Sequence, residues 1–142
     1  MIQAKDLQPG EVLVTPTDSK QGFTMTVETL EHQIIADEPE NLGGDNKGMG
    51  PFELLSASLA TCTAMTLRFY AKRENLEPGR YQVKVWAEQH QEGGSSGHLL
   101  KCALSFDEVE DPALKAKLQE IAEKCPVSRV LKTGVEIESV PS

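Results

Sequence analysis

The side chains best suited to chemistry in this sequence are three cysteines, Cys62, Cys102 and Cys125. A thiolate is a nucleophile and the entry point to reversible oxidation, so each thiol is a candidate for redox work as well as for packing. Their odd number argues against a structural disulfide framework. His32 has no second His or Cys at ligand spacing, so it reads as an ordinary strand-edge or surface residue and no metal site is expected. The acidic residues Asp37, Glu38, Glu40 and Asp45 lack the alternation of an EF-hand. Core cysteine or thiol redox chemistry remains.

Cys62 lies near the middle of residues 50–76, GPFELLSASLATCTAMTLRFYAKRENL, a helical pattern that starts at Pro51 and exits at Asn75, Pro78 and Gly79. Phe52, Leu54, Leu55, Leu59, Met65, Leu67 and Phe69 leave no polar stripe before Arg68, and a helix apolar on all sides must be buried on all sides. At roughly 36 Å it is long for one small domain to wrap. Either a curved sheet encloses it, or a second copy of the chain does.

Cys125 ends a second helical pattern that begins with Asp111 as N-cap and Pro112 at the first position. Leu114, Leu118, Ile121 and Cys125 share one face, which places Cys125 on the buried side. Pro126 reads as the stop, leaving Cys125 at the negative helix end, where a thiolate is disfavoured and Lys124 offsets only part of the cost. By elimination Cys62 is the better nucleophile, although a mid-helix site needs an added cation or hydrogen-bond donor. If the two apolar faces meet, the Cα atoms can approach the ~5.5 Å of a disulfide. The spacing leaves a redox pair and simple packing both open. Cys102 alternates in register with Leu104 and Phe106 and reads as a small core residue.

The remaining chain supplies strands. Residues 12–37 alternate in short runs, broken at residues 18–22 and near Glu31, and predict antiparallel strands. Residues 37–50, DEPENLGGDNKGMG, predict a long structureless loop over the mouth of a site near the helix start. Tyr81, Val83, Val85 and Ala87, then Leu100, Cys102, Leu104 and Phe106, form a hairpin around a turn at residues 92–97. Residues 134–140 predict a last strand with Val135 and Ile137 on one face.

With 142 residues, 39% of them hydrophobic, the chain is expected to form a single domain over residues 1–142. A net charge of −8 without a basic stripe argues against nucleic acid and anionic membrane surfaces. No apolar run approaches the ~18 residues of a membrane span and no signal-peptide core opens the chain, so a cytoplasmic protein is expected. No cofactor is expected.

The runs DEPENLGG, GPFELLSASLATCTAMTLRFYAKR and EIAEKCPVSRVL resemble the OsmC/Ohr family, in its OsmC-like redox-protein branch with a DEP…GG loop, from about Phe23 to Val140. The resemblance implies an α+β OsmC-like fold, with antiparallel sheets wrapped around long central helices in an interlocked homodimer. It implies a thiol-dependent peroxidase that reduces small-molecule organic hydroperoxides, with Cys62 peroxidatic, Cys125 resolving, and a dithiol reductant, lipoyl-type dithiols included. The alternative is a non-catalytic dimer that senses redox state or binds an apolar ligand. Peroxidase members hold the thiolate with an N-terminal arginine; here no arginine precedes Arg68, and Arg129 is the substitute. They also carry a glutamate directly after the helix proline, a position Phe52 occupies here. Glu53 follows, and a separation of nine turns it about 180° from Cys62 on a regular helix. Glu53 is thus either a catalytic candidate or a helix-start carboxylate. Phe52, Leu55, Leu59 and Met65 are the expected apolar pocket.

Overall fold

Short runs of Val, Ile, Thr and Met near the start of the chain form an antiparallel sheet in the order β1 (Leu13–Pro16), β2 (Met25–Glu28), β3 (Gln33–Ala36). The register pairs Val14 with Val27 and Val27 with Ile34, and the break expected near Glu31 is a tight turn in which the Thr29 amide donates to the His32 carbonyl at 2.8 Å. The computed structural model describes residues 1–17, 22–89 and 97–141. The break expected at 18–22 therefore lies almost wholly outside the described residues. By its internal contacts the chain divides into two units, Met1–Leu55 and Ser56–Ser142.

In the first unit, the glycine-rich loop after β3 is built around a buried carboxylate. Asp37 accepts hydrogen bonds from the Thr24 hydroxyl at 2.8 Å, the Glu38 amide at 2.8 Å and the Lys47 amide at 3.3 Å. Burial works against its charge, but these donors outweigh it and hold the carboxyl below the usual range. The loop is more ordered than its composition predicts: Glu40–Leu42 forms a 3-10 turn, and Met49 bridges back to Ala36 in parallel. Side-chain-free positions permit this return, because a Cβ on Gly44 or Gly48 would strike the backbone of Glu38 or Ile35.

Helix α1 (Pro51–Arg73) starts where Pro51 predicts, and the Glu53 carboxylate accepts the Gly50 amide at 3.2 Å. It ends at Asn75, whose positive φ lets the Leu76 amide reach back to the Ala71 carbonyl at 2.8 Å. Burial on all sides is not what the chain provides. One stripe is buried, Leu59, Thr63, Leu67 and Ala71, while Met65 and Phe69 on the outer side are 66% and 63% exposed. Helix periodicity allows one lone hairpin and one short helix to cover only one face of α1.

In the second unit, β4 (Tyr81–Gln89) and β5 (His98–Phe106) pair antiparallel, with Tyr81 opposite Phe106, Val83 opposite Leu104 and Val85 opposite Cys102. Most of the turn expected at 92–97 lies outside the described residues. Helix α2 (Pro112–Ala122) begins with Asp111 accepting the Ala113 amide at 3.0 Å, and buries Leu118 and Ile121. These residues join Leu67 and Val109 in the core, flanked by Tyr70, Tyr81, Leu104 and Phe106. The Tyr81 hydroxyl donates to the Ala64 carbonyl at 2.9 Å and pins the hairpin to α1.

Two expectations for the end of the chain are corrected. Pro126 does not simply stop a helix: it opens helix α3 (Pro126–Thr133), with Cys125 as its N-cap. Residues 134–140 do not form a strand. Gly134, at φ +87°, ends α3, no strand among the described residues pairs with residues 135–140, and Ile137 is 91% exposed.

Candidate functional site

Proline has no amide hydrogen to lose and a φ already suited to a helix, so a Cys-Pro step makes the cysteine the residue whose side chain faces the unpaired amides of the first turn. Cys125 does this. Its sulfur accepts the Ser128 amide at 3.5 Å. Cys125 therefore sits at the positive end of α3, which reverses the expectation that a helix C-terminus disfavours its thiolate. Lys124, expected to help it, lies instead over the Tyr70 ring at 5.3 Å.

The structure brings Cys62 and Cys125, both free thiols, close enough for each to act on the other's ionisation. Cys125 is buried and Cys62 half-buried. Burial pushes the Cys62 thiol up, and the hydrogen bond to Cys125 pushes it further. The Val127 amide and the Thr66 hydroxyl, 4.0 Å away, recover only part. Burial also opposes the Cys125 thiolate. The Cys62 thiol, the Ser128 amide at 3.5 Å and the nearby polar groups of Thr63 and Val127 outweigh that penalty and hold Cys125 below its ordinary value. The two thiols are thus shifted in opposite directions, Cys62 up and Cys125 down.

Thr63, next to Cys62 on the buried stripe of α1, connects this pair to the third cysteine. Its hydroxyl donates to the Leu59 carbonyl at 2.8 Å and lies against both Cys125 and Cys102. Cys102 is not sealed in the core as its alternation suggests. It is exposed and lines an open cavity of about 340 Å³ with Leu59, Thr63, Gln119, Glu123 and Lys132. The strand pattern placed it on the inward face correctly; α2 and α3 leave that end of the face uncovered.

The other expected residues divide. Leu59 is buried and lines the cavity at Cys102, whereas Phe52, Leu55 and Met65 are exposed. Glu53 caps its own helix through the Gly50 amide. Arg129 has an exposed side chain, and its amide continues α3 by donating to the Cys125 carbonyl at 3.3 Å. The donors acting on the thiols are Thr63, Thr66 and the amides of Val127 and Ser128, none of which sequence reasoning singled out. The Cys125-Pro126 step was the available signal, by the same rule that placed Pro51 and Pro112. Among the described residues no cluster of His, Cys, Asp and Glu is arranged to hold a metal ion, and no helix is long and apolar enough to cross a membrane.

Solved structures reproduce this architecture. An organic hydroperoxide resistance protein from Elizabethkingia anophelis is 22% identical, with 88% of this chain and 89% of that chain covered at a TM-score of 0.62. An OsmC-like protein from Mycoplasma pneumoniae is 19% identical, covering 86% of both chains at 0.61. An organic hydroperoxide resistance protein of Bacillus subtilis is 20% identical, with 86% and 89% covered at 0.57. At these identities the likeness speaks for the fold, an α+β arrangement of antiparallel sheets and helices. No curated protein matches the sequence. The family model described as OsmC-like protein matches residues 44–140, a span that holds both the α1 thiol and the Cys-Pro cap of α3, and the chain belongs to that family.

Proposed function

We propose that this protein is a thiol-dependent peroxidase that reduces organic hydroperoxides through Cys62 and Cys125. The observation that carries the reading is the meeting of the Cys62 and Cys125 thiols at the start of α3, where Cys62 is half-buried and the Ser128 amide donates to Cys125 Sγ at 3.5 Å. Two neighbouring solved structures are named for organic hydroperoxide resistance, which supports the substrate class.

Cys62 is the member a small peroxide can reach. Its proton crosses the hydrogen bond to Cys125, and the Cys62 thiolate attacks the terminal peroxide oxygen. The O–O bond breaks, the departing alkoxide takes the proton from Cys125 and leaves as alcohol, and Cys62 becomes a sulfenic acid. The Cys125 thiolate then attacks Cys62 Sγ, the S–O bond breaks, the departing hydroxide takes a proton from solvent to leave as water, and a Cys62–Cys125 disulfide forms. An external dithiol returns both thiols and is itself oxidised to a disulfide. In this reading the α3 amides stand in part where the resemblance puts an arginine, and Arg129 and Glu53 stay candidates beside them.

The protein acts as a homodimer in this reading. Ser58, Cys62, Met65 and Phe69 fall at offsets of 0, 4, 7 and 11 on α1, so a second copy seated on exposed Met65 and Phe69 also closes over Cys62 and dries its surroundings. Replacing Cys62 by Ser is expected to abolish hydroperoxide consumption in the presence of a dithiol; a C62S protein that consumes peroxide at the native rate sinks the proposal. Stoichiometric uptake without turnover by any dithiol points instead to redox sensing through the same pair, a reading supported by the upward push on the Cys62 thiol.

A further inference from the structure

A threonine inside a helix commonly turns its hydroxyl back onto the carbonyl four residues earlier. Thr63 does so with Leu59 at 2.8 Å, and Thr133 does so with Arg129 at 2.9 Å. Thr66 does not. Helical side chains lean toward the N-terminus, so the Thr66 hydroxyl reaches back over the turn that holds Cys62. Its one hydrogen bond among the described residues is to Cys62 Sγ, at 4.0 Å. Both residues are half-buried, and because they are four apart on α1 the helix itself keeps them neighbours.

At 4.0 Å the contact is loose while Cys62 is a thiol, when either group can donate. Ionisation changes it. A thiolate has no proton to give, so the hydroxyl must be the donor, and a hydrogen bond to a charged acceptor is shorter and stronger than one between neutral groups. The contact thus favours the ionised sulfur, and Thr66 lowers the Cys62 pKa where burial and Cys125 raise it.

Resting on the peroxidase reading, we propose that Thr66 is a positioning residue for the reaction: its hydroxyl donates to the Cys62 thiolate and holds Sγ in place while the sulfur attacks the peroxide oxygen. Thr66 forms no covalent bond and keeps its hydrogen throughout, so the balance of the reaction is unchanged.

Loss of one hydrogen bond to a charged sulfur raises its pKa by about one unit. The thiolate population at neutral pH then falls about tenfold, the greater nucleophilicity of a more basic thiolate returns about threefold of that, and oxidation slows about threefold. Thr66→Val removes the hydroxyl and keeps the branched shape, whereas Thr66→Ser keeps the hydroxyl and drops the methyl. Thr66→Ala repeats the loss with a residue that favours the helix.

The reduced native protein and the three variants are alkylated with iodoacetamide across the thiol titration range, with Cys62 resolved from Cys102 and Cys125 by peptide mass spectrometry. Oxidation by one equivalent of cumene hydroperoxide is then timed at neutral pH. In T66V and T66A the Cys62 midpoint is expected about one unit higher and oxidation about threefold slower, while T66S stays with the native protein. Native midpoints in T66V and T66A mean an idle hydroxyl and overturn the proposal. A T66S protein that behaves like T66V overturns it too, since the methyl and its packing then matter and the donor does not. A raised midpoint with an unchanged oxidation rate removes Thr66 from the reaction. If cumene hydroperoxide oxidises no thiol of the native protein, the peroxidase reading fails by itself, and the alkylation midpoints still decide whether Thr66 donates to the thiolate.

Discussion

The Ser128 amide points at Cys125 Sγ from 3.5 Å, so the first turn of α3 acts on a thiol that the sequence spacing assigns to the end of α2. This one contact changes the electrostatics of the pair. A cysteine at a helix C-terminus faces unpaired carbonyls, whereas an N-cap faces unpaired amides. Cys125 is therefore the member whose thiolate its surroundings favour, and Cys62 the member whose thiolate they disfavour.

The two thiols should report this division in opposite mutants. Cys62→Ala removes a hydrogen-bond donor from Cys125, so the Cys125 pKa rises. Cys125→Ala removes a neighbour that raises Cys62 both by hydrogen bonding and by charge, so the Cys62 pKa falls. Thiolate absorbance at about 240 nm against pH, or iodoacetamide rates, reads both shifts. Shifts of the same sign in the two variants would contradict these opposite influences.

Asp37 links acid stability to the loop before α1. Its folded pKa lies below the unfolded value of about 3.9, so its contribution is complete above that value and is lost as pH falls through the folded pKa. Asp37→Asn keeps the shape but weakens acceptance from Thr24, Glu38 and Lys47. The variant should be less stable than the native protein at pH 7, with the difference shrinking toward pH 3. Thermal melts across that range give the comparison, and a difference that grows on acidification excludes the account.

The second unit should be sensitive at two points. Leu118 is fully buried in the cluster with Leu67, Val109 and Ile121, so Leu118→Ala costs roughly 2–5 kcal/mol through lost burial and a cavity. Tyr81→Phe keeps the ring beside Phe106 but removes the donor to the Ala64 carbonyl, a loss of about 1 kcal/mol. Urea unfolding of the reduced proteins at one fixed concentration measures both, since a dimer's midpoint moves with concentration.

Periodicity made much of this fold legible. The alternation through Tyr81, Val83 and Val85 and through Cys102, Leu104 and Phe106 matches the observed pairing, and Pro51 and Pro112 mark true helix starts. The offsets of Leu114, Leu118, Ile121 and Cys125 also put Cys125 on the buried side, and the helices bring it to Cys62. What spacing could not carry was the polarity of the Cys-Pro step, because proline both ends and begins helices and it is the extended ψ of Cys125, 122° beside a helix-like φ of −59°, that marks it as a start. The role of Thr63 was equally hidden, since a mid-helix threonine is usually bonded to its own backbone, as this one also is. Ile137 and Val135 read as a strand by composition, yet a strand needs a neighbour to pair with.

The outer face of α1 offers the sharpest test of assembly. Met65 is 66% exposed in the single chain, so Met65→Lys removes little internal packing and should change monomer stability by less than about 0.5 kcal/mol. In a dimer seated on Met65 and Phe69 the same lysine is forced into an apolar interface, where an unpaired charge is strongly disfavoured. Sedimentation velocity should show the native protein as a dimer and the M65K protein as a monomer with unchanged far-UV circular dichroism. The monomer also exposes Cys62, so its alkylation by a bulky maleimide should quicken while that of Cys102, on the other side of α1, should not. A native monomer, or an M65K dimer, rules out this face as the seam.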